Sequence, residues 1–303
     1  MDLGIALPVS APYASPEAIV EVAQAAEKLG YTAVWTFERL LYALGDVPQP
    51  GGPARPLPET YKSVYEPIET LSFVAARTTT VRLGTSVLDA PLHTPVMLAR
   101  RLATLDRFSN GRVIAGLGLG WMEQEYATAN VPMARRGARF EEGIKAMRAA
   151  WGPDPVSFEG EFYTIPPSLI DPKPVQQGIP VVIAAIAPRA IERAGRIGDG
   201  FNPIGFSVDR LRELVGAFRQ AAADAGRDPA QLPVMVRANV GITEQAAGDG
   251  RQFLGGSPGQ VAADLAALRE LDIDHVLFRN HGARSLEHEI EIMGSLQEAY
   301  SRS

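Results

Sequence analysis

The chain has no cysteine, few histidines, no excess of basic charge and no long apolar run, and each shortage closes off a class of function. Without cysteine there are no disulfides, no thiolate nucleophiles and no cysteine-ligated metals. The four histidines, His93, His275, His281 and His288, form no H-x-H pair, and His288-Glu289 lacks the second histidine of a zinc-binding helix. No catalytic metal is therefore expected. Lys plus Arg number 29 against 35 Asp plus Glu, a net charge of −6. Neither nucleic acid nor an anionic membrane surface would find its counter-charge on such a chain. No stretch approaches the ~18 apolar residues of a membrane span, and the opening MDLGIALPVSAPY has neither the basic region nor the apolar core of a secretory signal. The expectation is a cytoplasmic protein that acts on a small molecule.

What the chain has in quantity is turn-forming residues, 29 Gly and 24 Pro, and their placement is ordered. Eight short apolar runs alternate with longer amphipathic segments. The runs are 3–7, 33–37, 81–88, 112–117, 180–186, 200–203, 234–242 and 275–279, the sixth recognised mainly from its neighbours. Several are apolar on both faces, as in VRLGTSVL and PVVIAAI, which suits parallel strands with helices outside and a barrel core inside. Ser15-Pro16, Thr94-Pro95 and Ser257-Pro258 each place a hydroxyl at a helix N-cap and proline at the first helical position. Stripes such as Ile19, Val22, Ala26, Leu29 and Val261, Leu265, Leu268 then give each helix one buried face.

The length of 303 residues allows two ordinary domains or one α/β barrel of ~250 residues with insertions. Eight βα units without a linker or composition break predict the latter, a single (β/α)8 TIM barrel over 1–303. Long connections follow the second strand (38–65, with VPQPGGPARPLP) and the fourth (121–179, two helices and a hairpin around 158–163). Loops of such length are read as functional lids.

Four stretches could carry chemistry. Gly116-Leu117-Gly118-Leu119-Gly120 follows a strand and would let backbone approach a flat or anionic ligand, with close packing as the competing reading. Ala184-Ala185-Ile186-Ala187-Pro188 offers small side chains and a helix start, either a phosphate cradle or a tight turn. Glu38-Arg39 ends an apolar strand with an acid and a base, either a ligand-binding pair or a structural ion pair. Arg135, Arg136 and Arg139 open a helix, either reaching an anion or forming a solvated face.

In this order, WTFERL, PLHTPVMLARRLATLDRFSNGRVIAGLGLGW, RRGARFEEGIKAMRAAW, VSFEGEFYTI, PKPVQQGIPVVIAA, RAGRIGDGFNP and GSPGQVAADL resemble the luciferase-like monooxygenase family. The short chain and the ERLL and GLGLGW forms are similar to its branch using the deazaflavin coenzyme F420, with FMN as the alternative cofactor. The resemblance implies a flavin-type (β/α)8 oxidoreductase, commonly a homodimer, moving a hydride between coenzyme F420 and a small organic substrate. An FMN-dependent monooxygenase and a non-catalytic flavin-binding barrel are the alternatives. It places a ring-binding bulge, often with a non-proline cis peptide, at Ser86-Val87. Phosphate-binding amides fall on Gly118, Leu119 and Gly120 and on Ala184, Ala185, Ile186 and Ala187. Glu38 matches an acidic residue near the ring. Arg39 stands where some deazaflavin dehydrogenases have a histidine, and Trp121 where they have a glutamate. Those departures leave hydride transfer with Arg39 polarising the acceptor, Trp121 shaping the substrate pocket, and no metal.

Overall fold

A computed structural model describes residues 1–49 and 51–302; Pro50, inside the proline-rich loop after the second strand, and Ser303 lie outside the described residues. Eight parallel strands carry the barrel: Asp2–Ala6, Ala33–Thr36, Arg82–Thr85, Val113–Gly118, Val181–Ile183, Gly200–Phe201, Met235–Val240 and His275–Asn280. They are called here the first to eighth barrel strands. Hydrogen bonding runs 6-5-4-3-2-1-8-7, and the parallel bridges Phe201–Val234 and Ile204–Arg237 close the sixth strand onto the seventh. The sequence pattern therefore gives a barrel with helices outside, as expected. No helix among the described residues is long and apolar enough to cross a membrane.

The barrel interior shows why glycines interrupt apolar strands. Trp35, on the second strand, is 1% exposed and packs with Ala33, Ile114, Val182, Met235 and Leu277. A Cβ on Gly4 would lie 2.6 Å from the Trp35 Nε1, and one on Gly84 would lie 2.3 Å from its ring. One indole thus fills the space that glycines on both neighbouring strands leave open. Its Nε1 donates to His275 Nε2 at 3.1 Å. Burial, with help from Arg82 and the N-terminus, drives His275 down to about 3, so the ring stays neutral and accepts.

Local signals explain most helix ends. The Ser15 hydroxyl accepts from the Ala18 amide, and Gly30 ends that helix in the left-handed region at φ 84°. Ser257 and Gln260 form a reciprocal capping box. Gly255-Gly256-Ser257-Pro258-Gly259 has the letters of a nucleophile elbow, but that hydroxyl is spent on the cap rather than exposed on a strand-to-helix turn. Thr94 departs from expectation: its side chain caps nothing, and Pro95 alone sets the start of helix Pro95–Phe108.

The two long connections are structured. The first carries an antiparallel hairpin, Val47–Gln49 with Gly52–Arg55, and a short 3-10 turn, Glu59–Lys62. The second holds helices Glu123–Thr128 and Arg136–Trp151 and the hairpin Val156–Glu159 with Thr164–Ser168, two helices and a hairpin as the sequence suggests. Glu142 fastens that hairpin to its helix by accepting from the amides of Glu161, Phe162 and Tyr163 at 2.7–3.0 Å.

Candidate active-site cleft

A cleft of about 410 Å³ opens at the C-terminal ends of the strands. The expected third-strand run divides there. Arg82–Thr85 is followed by a cis Ser86-Val87 peptide and by a two-residue strand, Leu88–Asp89, that pairs with Leu117 and Gly118. The bulge is fixed on all sides. The Ser86 amide donates to Thr36 O (2.7 Å) and the Val87 carbonyl accepts from the Glu38 amide (3.1 Å). The Ser86 hydroxyl donates to Asn202 Oδ1 (2.7 Å), and its carbonyl accepts from Arg237.

The glycine run lies directly against this bulge. A Cβ on Gly116 would meet Thr85 O at 1.7 Å, and one on Gly118 would meet Val87 Cγ2 at 2.6 Å. Gly120 has φ +68° and would place a Cβ 3.1 Å from Asp89 Cγ. Close packing and a cleft wall are thus both served by the same residues. The amides of Leu119, Gly120 and Trp121 donate to no group among the described residues, and neither do those of Ala185, Ile186 and Ala187. The latter three lead into helix Pro188–Ile197, so the cleft wall presents two rows of free N–H groups, one at a helix N-terminus.

Beside the bulge sits a cluster of charges. Glu38 is 7% exposed; its carboxylate accepts from the Asp89 amide at 2.7 Å and meets His93 Nε2 at 2.8 Å. Burial opposes its charge, but His93, the Asp89 amide and Arg39 together hold it below the ordinary carboxylate range. Arg39 donates to the Glu38 carbonyl (2.8 Å), Glu125 Oε2 (3.0 Å) and Asp89 Oδ2 (3.1 Å). Asp89, 2% exposed, is pushed up to about 7 by burial, which Arg39 opposes and Glu38 and Glu125 reinforce. Burial likewise raises Glu125 against the pull of Arg39. Trp121 packs over Arg39, with 5.6 Å from Cζ to the ring centroid.

These contacts change the reading of Arg39. The Glu38 carboxylate turns to His93, and the Arg39 charge is committed to Asp89 and Glu125, so the guanidinium is a clamp between carboxylates rather than a cation aimed at an acceptor. Arg135 is equally occupied, ion-paired with Glu161 on the protein surface. Of the residues singled out in the sequence, Glu38, Arg39, Val87, Gly118 to Trp121 and Ala184 to Ala187 line the one cleft, Ser86 bonds to its lining residue Asn202, and Arg135, Arg136 and Arg139 are not among its lining.

Sequence reasoning missed Asp89, His93 and Glu125, and with them Tyr61, Asn202, Arg237 and Asn239. Asp89 had a usable signal, an acid at the end of the third strand, the face where barrels place chemistry. Arg237 and Asn239 interrupt the apolar run VMVRANV on alternate positions and so face the barrel mouth together. Glu125 and Tyr61 sit in the two insertions, where no spacing rule reaches. Among the described residues no group of three or more His, Asp or Glu is arranged to hold a metal ion.

Comparison with known proteins matches this architecture. An uncharacterized protein of Mycobacterium tuberculosis is 34% identical over 226 residues, 70% of this chain and 76% of that one. The F420-dependent glucose-6-phosphate dehydrogenase of Amycolatopsis mediterranei is 34% identical over 205 residues, 66% of this chain and only 56% of the relative's length. Among solved structures, the coenzyme F420-dependent tetrahydromethanopterin reductase of Methanopyrus kandleri superposes with a TM-score of 0.81 at 16% identity, covering 99% of this chain and 98% of that one. A monooxygenase from Streptomyces bottropensis superposes equally well, TM-score 0.81 at 23% identity, over 100% of this chain and 99% of its own. The family model for luciferase-like monooxygenases matches residues 1–249, and the chain belongs to that family.

Proposed function

We propose that the protein is a coenzyme F420-dependent oxidoreductase that passes a hydride between the deazaflavin and a small organic substrate. The observation that carries this reading is the pair of free amide rows, at 119–121 and 185–187, beside the Ser86-Val87 bulge. They fit a long flat cofactor with an anionic tail: the bulge and Gly118 form a smooth wall for a ring, and the amides await phosphate. Alanines at 184 and 185 do not disturb the fit, because neither residue has a positive φ. The names of relatives such as the F420-dependent glucose-6-phosphate dehydrogenases support the choice of cofactor. The same reading makes residues 1–303 one domain of a cytoplasmic homodimer.

When bound, coenzyme F420 supplies the hydride chemistry; the chain supplies binding, orientation and charge. Ser86 and Val87 would support the ring, Gly118, Leu119 and Gly120 would let it approach, and the amides of Ala185, Ile186 and Ala187 would hold the phosphate, that of Ala184 being taken by the Leu117 carbonyl. Glu38, held ionised by His93 and the Asp89 amide, would be the acid nearest the ring. Arg39 keeps the acidic cluster in place, and Trp121 closes the substrate side. Asp89, pushed up to about 7 by burial, is a group in the cleft suited to hold a proton.

Fluorescence titration of the purified protein with coenzyme F420 and with FMN tests this. Saturable F420 binding that FMN does not displace is expected; tight FMN binding with oxygen uptake would make the protein an FMN monooxygenase instead. Gly118→Val should abolish F420 binding by driving a side chain against Val87. Unchanged affinity in a folded variant would refute that placement.

A further inference from the structure

Among the described residues, two cations at the barrel mouth have no carboxylate in contact: Arg237 lines the cleft, and Arg279 lines a second pocket with Ser10 and His281. Arg237, on the seventh strand, donates Nε to Asn239 Oδ1 (2.9 Å) and Nη1 to the Ser86 carbonyl. Arg279, on the eighth, donates to the Tyr61 hydroxyl (3.1 Å) and the Ser10 hydroxyl (3.1 Å). All four acceptors are uncharged in their ordinary states. Among the described residues no carboxylate lies within 4.0 Å of either guanidinium, in contrast to Arg39, which has two. Each guanidinium has five N–H donors, so most remain for another partner.

The strand register brings the pair to one place. Asn239 lies beside Arg279 and follows Arg237 by two residues, so all three project to the same face. Phe37 lies under both cations, 4.3 Å from Arg279 Cζ and 5.8 Å from Arg237 Cζ to its centroid, and the Tyr61 ring is 5.2 Å from Arg279. Aromatic faces ease the desolvation of a cation without neutralising it. The surplus potential is felt by the neighbours. Burial and the Arg279 charge push Arg237 down to about 10. Burial would raise the Tyr61 phenol, yet Arg279, Arg237 and Arg39 bring it below its usual value.

We propose that Arg237 and Arg279 form a carboxylate subsite, and that the cleft takes a substrate that is an organic acid with a planar, apolar body. The inference rests on the reading of this cleft as the cofactor and substrate site. A carboxylate matches the planar forks of two guanidiniums, which point-like cations would not require. The Tyr61 hydroxyl adds a donor, and Phe37 and Trp121 supply flat apolar walls. In the closed barrel order the amide rows on the fourth and fifth strands stand three places from the seventh and eighth strands respectively, the fifth and seventh being two apart, so the F420-saturated titration is the arm that separates this pair from the cofactor's phosphate.

Isothermal titration with benzoate and with benzamide, nearly the same shape without the charge, tests the subsite on the full chain, first alone and then saturated with coenzyme F420. Benzoate should bind at least about tenfold more tightly than benzamide in both states. Arg237→Gln or Arg279→Gln should erase the difference, and Arg279→Lys should keep part of it, because the charge remains and the fork is lost. Thermal melting and F420 affinity of each variant separate loss of the subsite from loss of the fold. Equal affinity for the two probes, or a preference that survives both glutamine variants, would overturn the proposal. So would benzoate binding that disappears on F420 addition while the glutamine variants weaken F420 itself, which would assign the cations to the cofactor. A failure of the cofactor reading shows separately, as absence of F420 binding with the benzoate preference of the unloaded protein intact.

Discussion

Asp89→Asn tests the electrostatics of the acidic cluster without touching its shape. Arg39, a permanent cation, is held between the carboxylates of Asp89 and Glu125, and a third carboxylate, Glu38, meets the His93 ring. The cluster relieves its excess negative charge by holding a proton on Asp89, whose value rises from 3.8 to about 7 under burial and its acidic neighbours. The sign follows from linkage. Between pH 4 and 7 the folded protein binds one more proton at this site than the unfolded chain, so stability falls as pH rises through that window. Three units at about 1.4 kcal/mol each set an upper bound of about 4 kcal/mol. The value of about 7 already includes the pull of Arg39; rearrangement of the cluster and water entering the cleft reduce the bound further, so about 2 kcal/mol is the working figure. Asparagine accepts the same Arg39 hydrogen bond and carries no charge. Urea unfolding of both proteins at pH 4.5, 6 and 8 should therefore find them nearly equal in acid, with the variant about 2 kcal/mol more stable at pH 8. Buried groups elsewhere, such as Glu289 and His275, titrate in both proteins and cancel in the difference. A difference that stays constant across the three pH values would refute the assignment of the proton to Asp89.

Gly84→Ala should cost about 1–3 kcal/mol by forcing a methyl to 2.3 Å from the Trp35 ring; an unchanged urea midpoint would mean that the indole can move and that the glycine is not required by packing. Ser257→Ala should cost about 1 kcal/mol through loss of the capping box, read by thermal melting, and Ser257→Thr should recover most of it.

How much of this was legible in the sequence depended on how local the physics was. Caps at Ser15 and Ser257 act over three residues, and the chain order states them directly. The eight βα units follow from alternation of apolar runs with helical stripes, which is also local. Gly118 and Gly120 were visible as a glycine run, although their reason was not. Each glycine answers a particular neighbour, Val87 and Asp89, brought up by an adjacent strand. The role of Arg39 could not be read at all, because its partners stand 50 and 86 positions away. Glu125 lies on a six-residue helix inside an insertion, with no periodicity that marks it as buried. The arginines of the seventh and eighth strands were the legible signal that went unread: a charge inside an otherwise apolar barrel strand has to be answered by something.

The two charged groups of the cleft are arranged on different arcs of the barrel. The acids Glu38, Asp89 and Glu125 gather near the second to fourth strands, while Arg237 and Arg279 stand on the seventh and eighth. Each arc carries a different cost. On the acidic side the excess is relieved internally, by Arg39 and a proton on Asp89. On the basic side Arg237 keeps its proton near neutrality, at about 10 even under burial and the Arg279 charge. An anion from outside would complete that arc. A preformed field of this kind fixes how a polar ligand lies before any contact forms, with its negative end toward the seventh and eighth strands. It also predicts what would be rejected. A cationic ligand of the same shape meets two uncompensated guanidiniums at one end and finds a partly protonated, already clamped acid cluster at the other.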